Sequence, residues 1–392
     1  MIEGPRACRP EEFDETLALI NATFRPDSDQ DILTDYPLIF NDRGLRYMRI
    51  LKAAGQVVAH VPVAPRRIIA GDDSFTAGII SPTVTHPDHR RKGYATRCLR
   101  DCVRIMKESG LPVSTLWTLE ATFPFYHHSG WEAVGNQGWM YSLVPGDEAL
   151  FERGEFEIVP FEVGRDAHLD VVIRSHDAEP WRVARNREEY AALLTLPKID
   201  TRVALAGGEV AGYLCVGSGR NKPGLNEAGG SVAAVEALVA EAVRSHAPVQ
   251  AVTNLQPTVL DELLADRVGS TRQPKARASG VGFQMIRINS LDLLLRSIEG
   301  HLRSRAAGLS GAVALECTDT GERVTLEFGG GEVRFVDDAP AAERVALTER
   351  QLVQLVFGGH SSCEPLDLPG KAADLLDRVF PFYFPIWELD RS

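Results

Sequence analysis

Residues 83–96 hold the pattern with the clearest chemistry. Thr83-Val84-Thr85 is followed by a turn marked by Pro87, the cations Arg90, Arg91 and Lys92, then Gly93, Tyr94, Ala95 and Thr96. The segment reads as a strand end, a basic loop and the first turn of a helix. The first turn of a helix carries backbone N–H groups with no intrahelical acceptor, and the helix dipole puts partial positive charge there, so it favours phosphate. Gly93 removes a side chain where a pyrophosphate would approach the backbone. The simpler reading is a basic turn that only caps a helix, and context argues against it. Gly78-Ile79-Ile80 and Val84 read as strand before the loop. Ala95, Leu99, Cys102, Val103 and Met106 recur after it at helical spacing, ended by Gly110 and Pro112.

Two other segments concentrate chemistry-bearing side chains. Phe123-Pro124-Phe125-Tyr126-His127-His128-Ser129-Gly130-Trp131-Glu132 puts a phenol and two imidazoles before a glycine. The chain end, Phe380 to Ser392, is so aromatic that it must be docked rather than frayed. The remaining candidates fall to plainer readings. Cys98 and Cys102 are four apart on a helix without a metal partner, with Cys102 on its apolar face. His86 and His89 lack the carboxylate or cysteine framework a zinc site needs. Adjacent His127 and His128 point in different directions and make a poor ligand pair. No metal is expected.

Elements that could position these groups fall into three segments. In residues 1–150, a helix over Glu11–Phe24 precedes apolar strands from Gln56 to Ile80, with a turn at Gly71-Asp72-Asp73. A buried strand from Val113 to Leu119 and further strand from Trp131 to Val144 complete a mixed sheet. In residues 151–288, Arg202–Ala206 and Glu209–Val216 flank a hairpin turn at Gly207-Gly208. Gly217–Gly230 reads as a loop, Ser231–His246 as an alanine-rich helix, Val249–Thr253 as a strand, and Gly269–Arg277 as a mobile polar connection. In residues 289–392, Leu291, Leu294, Leu295 and Ile298 make a helix face. Short strands follow at 312–317, 323–328 and 332–336, and Thr348 caps a helix carrying Leu352, Leu355 and Val356.

With 392 residues, the chain suits two or three domains. Its 44% hydrophobic and 24% charged content is that of a globular protein. A net charge of −12 disfavours general nucleic-acid binding; it suits long-range attraction of a cationic amine or simple solubility, and charge alone does not separate the two. No apolar run is long enough for a membrane span, no signal peptide is evident, and six scattered cysteines suit a reduced, cytoplasmic setting.

The order Arg-x-x-Gly-x-Ala after a Val-x-x-Pro strand end resembles the acetyl-coenzyme-A loop of the GNAT superfamily of N-acetyltransferases. The Phe-Tyr pair before a helix-ending glycine and an aromatic resembles the same superfamily's later motif. Over the whole length, the chain is similar to the enhanced intracellular survival family. That likeness implies an α/β (α+β) fold: a catalytic GNAT domain over 1–150, a degenerate GNAT-like domain over 151–288 that lacks the loop, and a sterol-carrier-protein-like α+β domain over 289–392.

The resemblance also implies roles. The backbone of Thr83, Val84 and Thr85 would meet the pantetheine arm and thioester of acetyl-CoA. Arg90 through Thr96 would hold its phosphates, and Leu119 and Glu120 would flank it. Tyr126 would be the general acid, since a phenol near pKa 10 stays protonated and can protonate a departing thiolate. The Ser392 α-carboxylate would be the general base, acting through water. Glu120 is the competing base, and packing alone is the competing role for the terminal aromatics. His127-His128 replaces frequent arginines and Ser129 a frequent aromatic. The implied activity is direct acetyl transfer to a primary amine in a ternary complex, by a homo-oligomer. A non-catalytic coenzyme-A- or ligand-binding regulator is the alternative. A P-loop is disfavoured, because no Gly-Lys-Ser/Thr is present.

Overall fold

The computed structural model describes residues 1–26, 31–40, 42–218, 223–275, 283–337, 339–368 and 370–391. It is mixed α/β, as expected, and packs into two compact units, each assembled from separated stretches of chain. One comprises residues 1–32, 39–135 and 281–383; the other comprises 33–38, 136–280 and 384–392.

The first unit holds the motif segments. Strands Ile2–Ala7, Met48–Ala53, Gln56–Pro62 and Val84–Thr85 form one sheet in that order. Ala64–Ala70, Asp73–Ile79, Val113–Thr118, Phe283–Ile288 and Glu132–Ala133 lie side by side in another. The ladder between Asp73–Ile79 and Val113–Thr118 is parallel and reaches Ile79 opposite Thr115, with Ile80 N–H still bonded to the Thr115 carbonyl at 3.0 Å. The chain then leaves that sheet, and Val84 and Thr85 pair with His60 and Ala59 of the first. The two sheets therefore part just where the motif begins. Helix Tyr94–Glu108 covers the first sheet, with Cys98, Leu99, Cys102 and Met106 buried in a core shared with Leu51, Val61, Leu116 and Trp131. Cys98 is thus as buried as Cys102, and burial pushes its thiol up to about 12. Asp101, on the same helix, is also buried, because Arg49 Nε meets its Oδ2 at 2.5 Å.

The C-terminal part of this unit has its own four-stranded sheet, ordered Glu332–Val336, Arg323–Gly329, Gly311–Cys317 and Glu343–Leu347, the last pair parallel. Asp73 ties it back: its carboxylate accepts N–H bonds from Gly300 at 2.8 Å and His301 at 2.7 Å.

The second unit is built on a seven-stranded sheet: Glu157–Pro160, Ile199–Ala206, Glu209–Ser218, Pro223–Gly230, Val249–Asn254, Gly138–Leu143 and Gln273–Pro274. Helices Val232–His246 and Val259–Val268 pack on it through Val235, Leu238, Val239, Leu260 and Leu264.

Several elements differ from their sequence reading. Residues 223–230, read as loop, pair with Glu209–Ser218, because Leu225, Glu227 and Ala228 are buried despite the surrounding glycines. The expected mobile connection from 269 is bound: Gln273 and Pro274 pair with Met140 and Trp139, and the Arg272 guanidinium lies 4.0 Å from the Trp139 ring centroid. Its last residues, 276 and 277, lie outside the described residues. The single strand expected from Trp131 to Val144 is two. Glu132–Ala133 stays in the first unit, whereas Gly138–Leu143 pairs with Val249–Asn254 of the second. In return, Phe283–Ile288 completes the first unit against Val113–Thr118. The first unit's sheet thus takes a strand from beyond the second unit's main stretch. Residues 136–150 pack with the second unit and 281–288 with the first.

Candidate active site

The phosphate loop is built to expose donors. Gly93 is the N-cap of helix Tyr94–Glu108, with φ 76° and no side-chain cap. The helix's first backbone bond runs from Arg97 N–H to the Gly93 carbonyl at 3.1 Å. The N–H groups of Tyr94, Ala95 and Thr96 therefore have no acceptor within the helix. Arg91 is also left-handed, at φ 60°, and such alternation turns successive N–H groups toward one concavity. A Cβ built on Gly93 would meet nothing within 4 Å, so the space before the helix is open to a ligand. Arg90, Arg91 and Lys92 are exposed. Arg90 Nε reaches the Thr85 carbonyl at 3.3 Å and Lys92 Nζ the Asp88 carbonyl at 2.9 Å, which fixes the loop to the strand end. These features fit a pyrophosphate.

Helix Phe123–His127 carries Tyr126 into the edge of the core around Leu99 and Trp131. Burial holds the Tyr126 phenol above the ordinary tyrosine range, and the neighbouring Thr83 hydroxyl pulls the other way. Thr83 Oγ1 is buried without a hydrogen bond of normal geometry, so the phenol's neighbour keeps capacity for another partner. The structure thus brings together Thr83 and Tyr126, which the sequence reading had placed in separate motifs. Leu119 is exposed at 51%, and its carbonyl is already taken by the N–H groups of Thr122 and Phe123. Glu120 is exposed at the start of the turn Glu120–Thr122, with no ion pair among the described residues. Ser392 lies outside the described residues.

His60 escaped the sequence reading. It sits opposite Val84, fully buried, with both ring nitrogens unpartnered, and burial lowers it to about 3, so the ring is neutral. A lone histidine in the run Gln56–Pro62 was the only signal. Among the described residues no group of three His, Cys, Asp or Glu side chains could hold a metal ion, and no helix is long and apolar enough to cross a membrane.

Residues 5–134 match the acetyltransferase (GNAT) domain family. The chain therefore carries a GNAT acetyltransferase domain, a class whose fold supports acyl transfer. Its overall fold is similar to that of a GCN5-related N-acetyltransferase from Kribbella flavida, at 18% identity, TM-score 0.67 and 98% of each chain covered. A GCN5-related N-acetyltransferase from Anabaena variabilis is similar over 91% of this chain and 90% of its own, at 16% identity and TM-score 0.64. Eis1 from Mycobacterium abscessus is similar over 92% of this chain and 90% of its own, at 14% identity and TM-score 0.59. No curated protein matches by sequence.

Proposed function

We propose that the protein is an acetyl-CoA-dependent N-acetyltransferase acting on a primary amine. The observation that carries this reading is the buried Tyr126 phenol beside Thr83, at the parting of two sheets, in a domain whose helix N-terminus at Gly93 is open and uncapped. Backbone groups of Thr83, Val84 and Thr85 receive the thioester arm, and the loop from Arg90 to Thr96 receives the pyrophosphate. The neutral amine attacks the thioester carbonyl carbon within a ternary complex. The C–S bond breaks, Tyr126 gives its proton to the departing thiolate, and the amine's proton passes through water to a base. The Ser392 α-carboxylate is that base in this reading, with Glu120 as the next candidate. An intrinsically weak carboxylate base suits a water relay better than direct deprotonation. The same reading treats 289–392 as a sterol-carrier-like module and the protein as a cytoplasmic homo-oligomer.

The test is thiol release from acetyl-CoA across a panel of aminoglycosides, polyamines, lysine peptides and small amines. Amine-dependent release that falls on Tyr126→Phe supports the reading. Tight acetyl-CoA binding with no turnover on any amine favours a coenzyme-A-binding regulator instead.

A further inference from the structure

A cavity of about 460 Å³ lies within the first unit. It is lined by Arg100 and Val103 of helix Tyr94–Glu108, by residues 127–131, and by Arg287, Asp319, Glu349 and Arg350. Its size is that of a small organic ligand.

Arg287 is firmly held in this lining. Arg287 Nη1 donates to the Ser129 carbonyl at 3.0 Å and to Glu349 Oε2 at 2.6 Å. Its guanidinium carbon lies 5.5 Å from the Trp131 ring centroid. Gly130 is required there, because a Cβ would sit 1.5 Å from Arg287 Nη1, and its φ is +91°. Glu349 is therefore committed to Arg287. Asp319 Oδ2 accepts the Glu349 N–H at 2.8 Å, a bond that orients this carboxylate and leaves its charge, so the three lining arginines exceed the two lining carboxylates by one.

Among the described residues, neither Arg100 nor Arg350 has a carboxylate within ion-pair distance. Arg350 Nη1 instead lies against the His127 ring, 2.9 Å from Nδ1 and 3.0 Å from Nε2, while His127 Nε2 lies 3.2 Å from Glu132 Oε2. The imidazole brings no negative charge to the guanidinium. It orients the guanidinium without neutralising it. Lining residues also carry unused donors: among the described residues, Trp131 Nε1–H and Arg287 Nε–H have no acceptor, and Trp131 is fully buried. A buried donor without a partner is costly, and an acceptor oxygen relieves it. In a chain of net charge −12, this is a local reversal of sign.

We propose that this cavity binds a phosphate monoester, held by Arg100 and Arg350. Guanidinium forks match phosphate geometry, and two that pair with no carboxylate suit a dianion better than a single carboxylate. The monoester has two chemical sources. Arg100 lies seven residues beyond Gly93 on one helix, about 10 Å along its axis. The 3′-phosphate of coenzyme A could reach that far, a source that rests on the function proposed above. A separate phosphorylated metabolite is the other source and does not depend on that function.

The experiment is calorimetry on the full chain with acetyl-CoA, 3′-dephospho-acetyl-CoA and glycerol 3-phosphate. It compares wild type, Arg100→Gln (an exposed position that leaves the fold undisturbed) and Arg100→Gln/Arg350→Gln, with melting temperatures followed. If the donor fills the site, acetyl-CoA binds about tenfold or more tighter than its dephospho form, and the double variant erases the difference without weakening the dephospho form. If a separate metabolite fills it, glycerol 3-phosphate binds wild type and not the variants, and the two donors bind alike. Equal donor affinities together with no binding of glycerol 3-phosphate overturn the proposal, even where acetyl-CoA still turns over. Glycerol 3-phosphate binding without any acetyl-CoA binding upholds this site and rejects the proposed function.

Discussion

Arg185 grips Asp390 through two parallel hydrogen bonds, Nε to Oδ1 at 2.8 Å and Nη2 to Oδ2 at 2.7 Å, with neither side chain exposed. The other edge of the same guanidinium holds Glu227 at 3.1 and 2.8 Å, and Tyr213 donates its hydroxyl to Glu227 at 2.9 Å. Burial alone would raise the Glu227 carboxyl, but Arg185 and His176 hold it well below the usual carboxylate range. Lys275 bonds Glu388 at 2.6 Å, and Leu389 packs with Leu169, Tyr190 and Tyr213. Residues 384–391 are thus tied into the second unit by buried charge as well as by aromatic packing.

This arrangement orders the cost of substitutions. Asp390→Asn leaves Arg185 balanced by Glu227. Arg185→Met leaves two buried carboxylates facing each other with no cation between them. Removing one partner of a buried pair costs about 3–5 kcal/mol. Arg185→Met should reach or exceed that, and Asp390→Asn should cost clearly less. Denaturant midpoints of the two variants decide it; equal losses would mean that the cluster does not act as a charge unit.

The same anchor refines the test of the chain end. Deleting Leu389 through Ser392 removes Asp390 and so unfolds the anchor along with any catalytic carboxylate. Adding residues after Ser392 keeps Asp390 in place and displaces only the terminal charge. A short C-terminal extension should lower kcat at an unchanged melting temperature, whereas Ser392→Ala should be nearly silent. Full turnover by the extended protein would remove the terminal carboxylate from the mechanism and move attention to Glu120.

Gly93 gives a separable prediction for the donor. A Cβ there meets no described atom within 4 Å, so its main internal cost is the left-handed backbone, about 1–2 kcal/mol. Gly93→Asp should keep the fold and weaken acetyl-CoA binding at least tenfold by adding bulk and like charge in front of the uncapped N–H groups. Calorimetry with unchanged affinity would place the phosphates elsewhere.

What the sequence revealed follows from which physics is local. The loop before Tyr94 and the hairpin at Gly207-Gly208 were legible because left-handed glycines and helix starts are decided by neighbours in sequence. The exchange of Gly138–Leu143 and Phe283–Ile288 was not legible. A short apolar run announces a strand but not which sheet accepts it. Pro223–Gly230 was hidden because its glycines read as loop, while its strand character rests on burial of Leu225 and Ala228. Arg185, Glu227 and Asp390 drew no attention in the sequence, since nothing local marks partners so far apart in the chain. The cavity cations were equally hidden: Arg100 and Arg350 sit on different helices, and only the tertiary fold brings them to one space.

Tyr126 carries a prediction in pH. Burial raises its phenol, so the proton it must donate is retained through and beyond the ordinary tyrosine range. The pH–rate profile should rise as the acceptor amine loses its proton, and its alkaline fall should come at higher pH than that of an unperturbed tyrosine acid. Tyr126→Phe should reduce kcat about a hundredfold or more, with little change in acetyl-CoA affinity. Wild-type kcat in that variant, under conditions where chemistry limits the rate, removes Tyr126 from the reaction.

His60 sets an acid limit on the first unit. Its ring is neutral in the fold, lowered by burial to about 3, against an ordinary value of about 6.5 in the unfolded chain. Between those values the unfolded chain binds a proton that the fold refuses, so stability falls as pH drops below about 6.5 and goes on falling toward about 3. Linkage puts the loss between pH 7 and pH 5 at about 2 kcal/mol from this residue alone. The ring has no hydrogen bond to lose and lies 6.1 Å from the Phe40 ring, so His60→Leu keeps an apolar filler and deletes only the titration. Denaturant melts at the two pH values should show wild type losing about 2 kcal/mol more than His60→Leu. An identical acid loss in both proteins would show that the ring is already protonated, or already exposed, in the folded state.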